Sequence, residues 1–285
     1  MTILVTGGKG LLATEIRKKA QGMELLFCDI DDMDITDIIS IRDYIEKHQD
    51  ITAIINCAAG RDAEVLEENP EWAHDIAVEG PKNLSLVANE LDVPLIHIST
   101  DYVFDGRKSY PYTEEDQTNG LSVYGRTKAE GEQAVLNTAK TCCIFRTAWL
   151  LSLEGKKSFI NTIANLAKDR KELGIVFDQI GSPTCASDLA DMILKIVPQI
   201  KKHTREIYHL TNEGVCSWYD IAVTIVSELG LDCHIKPIHS YEYPTKAKRP
   251  SFSVLDKTKV KKDFNINIRH YSEGLKECLQ LLKNH

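Results

Sequence analysis

Along the first half of the chain, short β-branched runs alternate with segments whose apolar residues recur every three to four positions. Thr2 to Thr6 reads as a strand, Gly7-Gly8-Lys9-Gly10 punctuates it, and Leu11 to Ala20 carries Leu12, Ile16 and Ala20 on one helical face. The pattern repeats with a strand over Glu24 to Ile30, a helix over Ile38 to Lys47, a strand over Ala53 to Cys57 and a long amphipathic helix from Trp72 to Leu91. A strand at Pro94 to Ile98, a helix at Val123 to Ala139 and a strand at Cys142 to Thr147 come next. Apolar strands separated by helices predict an α/β fold, a doubly wound parallel sheet covered on both faces.

Beyond Trp149 the alternation loosens into a helix at Phe159 to Lys168, a strand at Leu173 to Phe177, a helix at Asp188 to Val197 and a strand at Ile207 to Leu210. From Cys216 the texture changes. One helix runs through Leu229, a Pro-containing irregular stretch covers Ile235 to Pro250, and helices are predicted near Lys257 to Asp263 and Ser272 to Lys283. The tail reads as a smaller lobe over the sheet. Residues 1–150, rejoined by 173–212, make the larger domain, and 151–172 with 213–285 make the lobe.

Charge narrows the partners. The 285 residues hold 34 Lys and Arg against 42 Asp and Glu, a net charge of −8, and the basic runs Lys156-Lys157 and Lys201-Lys202 are short. Nucleic acid, which is held by clustered cations, is not expected as a partner. No uninterrupted apolar stretch is long enough to span a bilayer, and Met1 leads into a strand rather than a signal segment, so no membrane association is expected. The eight cysteines form no C-x-x-C pair and several lie in apolar runs, as reduced thiols of a cytoplasmic protein do. No H-E-x-x-H motif or Cys/His grouping announces a metal site, no G-x-S-x-G elbow a hydrolase, and no G-x4-G-K-[ST] loop a triphosphatase.

Two constellations carry chemistry. Gly8-x-Gly10-x-x-Ala13, overlapped by Gly7-x-x-Gly10-x-x-Ala13, fits the dinucleotide fingerprint between a strand and a helix. Glycine lets the backbone turn tightly and bring free amides and the helix dipole to a pyrophosphate. Asp29 closes the second strand where an acid would accept the ribose hydroxyls; it repels a 2′-phosphate, while Lys9 could offset that repulsion, so both NADH and NADPH stay open. The other reading of Asp29 is an acidic strand end continued by Asp31, Asp32 and Asp34.

The second constellation is Tyr124 and Lys128, one turn apart on one face of a predicted helix. An ammonium beside a phenol stabilises the phenolate, so the spacing predicts a tuned acid. A half-exposed aromatic with a solvated lysine is the plain alternative. Context comes from Ser99-Thr100, which directly follow the fourth strand's Pro94 to Ile98 and would face the crevice at the carboxyl ends of the strands.

With Asn56-x-Ala58-Ala59-Gly60, these motifs resemble the extended short-chain dehydrogenase/reductase superfamily, whose fold is of the Rossmann type. More narrowly, Ser99-Thr100-Asp101-Tyr102-Val103-Phe104-x-Gly106, Arg146-Thr147-Ala148-Trp149 and Asp178-Gln179-Ile180-Gly181-Ser182-Pro183-Thr184 are similar to the dTDP-4-dehydrorhamnose reductases. The likeness continues through Tyr208-His209-Leu210, Ser217-Trp218 and Tyr243-Pro244 to Arg249-Pro250. The resemblance implies reduction of the C4 ketone of dTDP-4-dehydro-β-L-rhamnose to dTDP-L-rhamnose by NADPH or NADH. It implies that Tyr124 gives a proton to the C4 oxygen, Lys128 tunes Tyr124 and holds the nicotinamide ribose, and Thr100 hydrogen-bonds the same oxygen or phenol. Asp101 and Trp149 would touch the sugar. The cofactor would touch Gly7, Lys9, Gly10, Leu11, Leu12, Asp29, Asp34, Ile35, Ala58, Ala59, Tyr124 and Lys128. The chain would act alone or as a homodimer, with a cation at the subunit contact left open.

The chain departs from the family pattern at Gly60-Arg61-Asp62-Ala63-Glu64, where an aromatic or histidine, a threonine and a Val-Asp pair are usual. It also has Ala77 for asparagine and Ala148 for serine. Two rival readings remain: a nucleotide-sugar dehydratase or epimerase, against which Tyr102 stands where dehydratases have a second acid, and a regulatory subunit of the same fold, which the intact Tyr124 and Lys128 disfavour.

Overall fold

The computed structural model describes residues 2–20, 22–48, 50–60, 62–155 and 158–284; Arg61 and the Lys156-Lys157 run lie outside them. The elements of the first part are β1 (Thr2–Thr6), α1 (Leu11–Lys19), β2 (Glu24–Cys28), α2 (Ile38–Glu46), β3 (Ile51–Asn56), α3 (Ala63–Glu68), α4 (Pro70–His74), α5 (Gly80–Leu91), β4 (Leu95–Thr100), α6 (Val123–Thr138) and β5 (Cys142–Thr147). Then come β6 (Leu150–Leu151), α7 (Phe159–Asp169), β7 (Glu172–Val176), β8 (Ile180–Gly181), β9 (Thr184–Cys185), α8 (Ala186–Ile196), β10 (Arg205–His209), β11 (Cys216–Ser217), α9 (Trp218–Leu229), β12 (His234–Ile238), α10 (Thr258–Phe264) and α11 (Tyr271–Lys283).

Six parallel strands form the central sheet in the order β10-β5-β4-β3-β1-β2. The order reverses at β1, whose neighbours are β2 and β3, and open sheets of this kind bind ligands outside the carboxyl ends of the strands at such a reversal. One face is covered by α1 and α8, where Ile3, Val5, Ile16, Leu189 and Ile193 are buried together. The other is covered by α2, α5 and α6 over Leu4, Ile54, Leu84, Leu95 and Val135. Burial on both faces explains why these strands are apolar without alternation.

The stretch 173–212 divides. α8 packs on the sheet and β10 joins its edge, but β7 leaves it and pairs with β12 in a separate parallel ribbon. That ribbon belongs to a second core built from Ile160, Ile163, Ile221, Ile225 and Leu275. β12 replaces part of the irregular stretch that Pro237 suggests; a proline survives in a two-stranded ribbon because one side of each strand needs no ladder partner. Conversely, Val260 and Phe264 of α10 are buried against the main sheet's core, not against the second one.

The predicted long helix from Trp72 to Leu91 is interrupted. Pro81 has no N–H to give the Ala77 carbonyl, and residues Asp75–Glu79 widen into a π-helical turn in which the Gly80 N–H reaches Asp75 O. This turn packs on α6, whose start is fixed by the Ser122 hydroxyl accepting from the Gly125 N–H at 3.1 Å.

Candidate active site

The site is assembled from the loops that leave the carboxyl ends of the central strands. After β1, Gly7 takes φ +66°, and a Cβ there would lie 2.8 Å from the backbone of Ala58 at the end of β3. Only glycine allows the two loops to approach this closely. The Gly8 N–H donates to Cys28 O and the Gly10 N–H to Gly7 O, both at 2.8 Å, which curls the loop over the start of α1. Gly10 caps α1 without any side chain, so no side chain occupies the amides of its first turn, Leu11 and Leu12 among them.

Asp29 stands beside this loop, accepting from the Lys9 N–H at 2.8 Å through Oδ2 and from the Ile30 N–H at 3.0 Å through Oδ1. The Lys9 ammonium pairs with Asp31, which raises its proton affinity. Asp34 spends its carboxylate on Thr36, accepting from its N–H at 2.9 Å and its hydroxyl at 2.8 Å. The Ile35 side chain is buried in the core against Gly80. Loop, acid and cradle suit an anionic dinucleotide: a sterically defined backbone cradle, a helix N-terminus and a carboxylate at the second strand end.

At the end of β4 the Thr100 hydroxyl faces the Tyr124 phenol and favours its charged form. Thr100 Oγ1 lies 3.1 Å from Asp101 Oδ1 and accepts from the Tyr102 N–H at 3.2 Å. Burial pushes the Tyr124 phenol up to about 12, against the help from Thr100 and with the Asp101 charge adding to the rise. The acidified phenol expected from the helical spacing is therefore not what the fold builds. Lys128 is turned away to the strand, its Nζ donating to Ile98 O at 2.7 Å and lying 3.1 Å from His97 Nε2. Burial pulls Lys128 down to about 8, although Glu132 and Cys57 favour its charge. The two groups stand one turn apart on the helix, and for each of them removal from water is the largest influence.

Asp101 is buried and pushed up to about 6, chiefly by burial, with Ser253, Thr100 and Trp149 favouring its charge. Its Oδ2 has no well-formed hydrogen bond. A buried carboxylate oxygen without a well-formed hydrogen bond is an exception among buried polar groups. Trp149 comes after β5 in a left-handed conformation, φ +48°, and stacks on Trp218 with ring centroids 4.0 Å apart. Its indole edge lies over Gly181, where a Cβ would come within 2.6 Å. Trp149 thus packs against the second core.

Four of the departures from the family pattern can be placed, while Arg61 lies outside the described residues. Ala148 is buried in an apolar cluster with Val103, Phe104 and Leu255, and Ala77 lies in the π-helical turn. The Asp62 side chain caps α3. Glu64 ties α3 to the segment 246–249, accepting from the Lys246 N–H at 2.7 Å and pairing with Arg249 at 3.0 Å.

Sequence reasoning gave no role to Asn56, His97, Glu132 or Arg146. Glu132 and Arg146 form a fully buried bidentate pair beneath the site, with bonds of 2.9 and 2.7 Å. One signal was present: a histidine inside the apolar run Leu95-Ile96-His97-Ile98, in a strand buried on both faces, requires a buried partner. Among the described residues, no three His, Cys, Asp or Glu side chains gather to hold a metal ion, and no helix is long and apolar enough to cross a membrane.

A Rossmann-type sheet with a glycine cradle at its switch point and a Thr-Tyr-Lys set beside it defines a nucleotide-dependent oxidoreductase of the extended short-chain class. The family model described as the RmlD substrate binding domain matches residues 1–284, and the chain belongs to that family. It is 36% identical over 289 residues to a dTDP-4-dehydrorhamnose reductase of Aggregatibacter actinomycetemcomitans, covering 96% of this chain and 97% of that one. The crystal structure of a dTDP-4-dehydrorhamnose reductase from Clostridium acetobutylicum superposes with a TM-score of 0.94 at 38% identity, covering 99% of this chain and 100% of that one. Another, from Bacillus anthracis in complex with NADP, superposes with a TM-score of 0.92 at 29% identity, covering 98% and 99%.

Proposed function

We propose that this chain reduces the C4 ketone of dTDP-4-dehydro-β-L-rhamnose to dTDP-L-rhamnose, with NADPH or NADH as reductant. The observation that carries the reading is the meeting of the Thr100 hydroxyl and the Tyr124 phenol at the carboxyl end of β4, beside the Gly7–Ala58 cradle. Gly7, Lys9, Gly10, Leu11, Leu12, Asp29, Asp34, Ile35, Ala58 and Ala59 would hold the cofactor, with Asp29 toward the adenine ribose. When bound, the reduced nicotinamide supplies the hydride equivalent.

The protein's share is the proton and the position. Tyr124, kept protonated by burial, gives its proton to the C4 oxygen as that oxygen gains charge, and Thr100 donates to the same oxygen or steadies the phenol. Lys128 stands one turn behind Tyr124 for the nicotinamide ribose. Asp101 offers its free oxygen to a sugar hydroxyl, and Trp149 offers a flat apolar wall to the deoxygenated side of the ring. The relatives named as dTDP-4-dehydrorhamnose reductases support the substrate assignment.

All eight cysteines are free, which suits a cytoplasmic setting. A homodimer is the further expectation, and sedimentation equilibrium would detect it. The test of the function is oxidation of NADPH and NADH by the purified chain with the dTDP-4-dehydro sugar, the product identified by NMR. Absence of oxidation with both reductants would overturn it.

A further inference from the structure

NADH and NADPH differ by one phosphate on the adenosine 2′-oxygen, which carries close to two negative charges at neutral pH. The turn that closes β2 is where that difference would be felt. The Asp29 N–H donates to Asp32 Oδ2 at 3.0 Å, and the Asp32 and Met33 N–H groups donate back to Asp29 O at 2.8 and 2.9 Å, so the chain folds tightly on itself at the strand end. The glycine loop is clamped to this turn twice. Its Lys9 N–H donates to Asp29 Oδ2 at 2.8 Å, and its Lys9 ammonium pairs with Asp31. Between the two acids Ile30 is 62% exposed, an apolar surface in a charged turn that suits the face of an adenine.

Three carboxylates and one ammonium therefore meet beside the cradle. Lys9 and Asp31 are 62% and 72% exposed, so the bridge between them is one that a ligand could open. Opening it leaves the total unchanged: whichever anion Lys9 faces, Asp29, Asp31 and Asp32 together outweigh it. Asp31 first, with the charges of Asp29 and Asp32 behind it, raises the proton affinity of Lys9, as an anionic surrounding does to a cation. Arg17 does not correct the balance, because it is used as a brace: its Nη2 donates to Gly8 O at 3.1 Å and its guanidinium lies 4.0 Å from the centroid of the Phe27 ring. Asp34, a fourth carboxylate in the same turn, is spent on Thr36.

We propose that Asp31 and Asp32 join Asp29 in selecting NADH over NADPH, with Lys9 serving as the counterion of the turn rather than as the receptor of a 2′-phosphate. This rests on the reading of the glycine cradle as the cofactor site. An acid at the end of the second strand receives the ribose in many sheets of this kind. What this chain adds is an ion pair that draws Lys9 away from a phosphate and two further carboxylates around it. Repulsion between a phosphate dianion and this net negative charge, acting through water and salt, corresponds to about a tenfold difference in affinity.

Equilibrium titration of the full chain with NADH and with NADPH, in the absence of sugar, tests the proposal by calorimetry. At about 50 mM salt NADH should bind about 10-fold more tightly, and the gap should narrow toward equality as salt is raised to about 0.5 M. Equal affinities at low salt, tighter NADPH, or a gap indifferent to salt would overturn the proposal. Asp31→Asn removes one charge and releases Lys9, and should shift the affinity ratio about 3- to 10-fold toward NADPH. An unmoved ratio in the folded variant would also overturn it, and the native chain's ratio and salt dependence decide alone if the variant fails to fold. Binding of neither nucleotide would overturn the reading of the cradle as well, whereas two bound nucleotides of equal affinity strike this inference only.

Discussion

Gly131 of α6 and Ala77 of the π-helical turn meet backbone to backbone, so closely that a Cβ on Gly131 would lie 1.9 Å from the Ala77 carbonyl oxygen. Pro81 leaves that carbonyl without its helical donor, and the missing side chain at 131 lets α6 settle onto it. The seating of α6 fixes Tyr124 and Lys128 on the same helix. Gly131→Ala should cost about 1 to 3 kcal/mol of stability through overpacking, read from urea unfolding, and lower turnover as α6 is displaced.

Tyr124→Phe deletes the proton donor and almost no volume. Turnover should fall by about 10²- to 10⁴-fold with NADPH affinity nearly intact, measured by steady-state kinetics and equilibrium titration. Retention of the parent rate would remove Tyr124 from the reaction.

Lys128 tests the cost of the site. Its value in the folded chain, about 8, lies below the ordinary 10.5. Between those values the unfolded chain binds more protons, so this group's contribution makes stability rise with pH through that window. Lys128→Met should abolish most turnover yet stabilise the fold at pH 7 by about 1 to 3 kcal/mol. The gain should shrink as pH rises from about 8 to 10.5, and a gain independent of pH in chemical denaturation would refute the assigned burial penalty.

Trp149 owes its orientation to the ring beneath it. Trp218→Leu removes a stacked partner at 4.0 Å, and the KM for the sugar should rise about 2- to 10-fold while NADPH affinity holds. A change confined to NADPH binding would place Trp149 elsewhere in function.

The Glu132–Arg146 pair supports α6 from below. Glu132→Ala strands a buried guanidinium and should cost about 3 to 5 kcal/mol, whereas replacing both partners by Leu and Met should cost much less. Equal losses in the two variants, compared by thermal unfolding, would show that packing rather than charge decides.

The strand and helix order of the first half is legible in the chain alone, because apolar runs and helical repeats there are continuous and punctuated by glycine. So are the glycine cradle, Asp29, Thr100, Tyr124 and Lys128, since those residue types sit at fixed places relative to their own elements. Contacts between distant segments were needed to settle that β7 joins β12 rather than the main sheet, because both choices bury the same short apolar run. Such contacts likewise set the charge on Tyr124 and Lys128. Spacing along a helix fixes which side chains are neighbours, but the free energy of an ionisable group depends on how much water it has lost and which partners, here Thr100 and His97, arrive from strands far away in the chain.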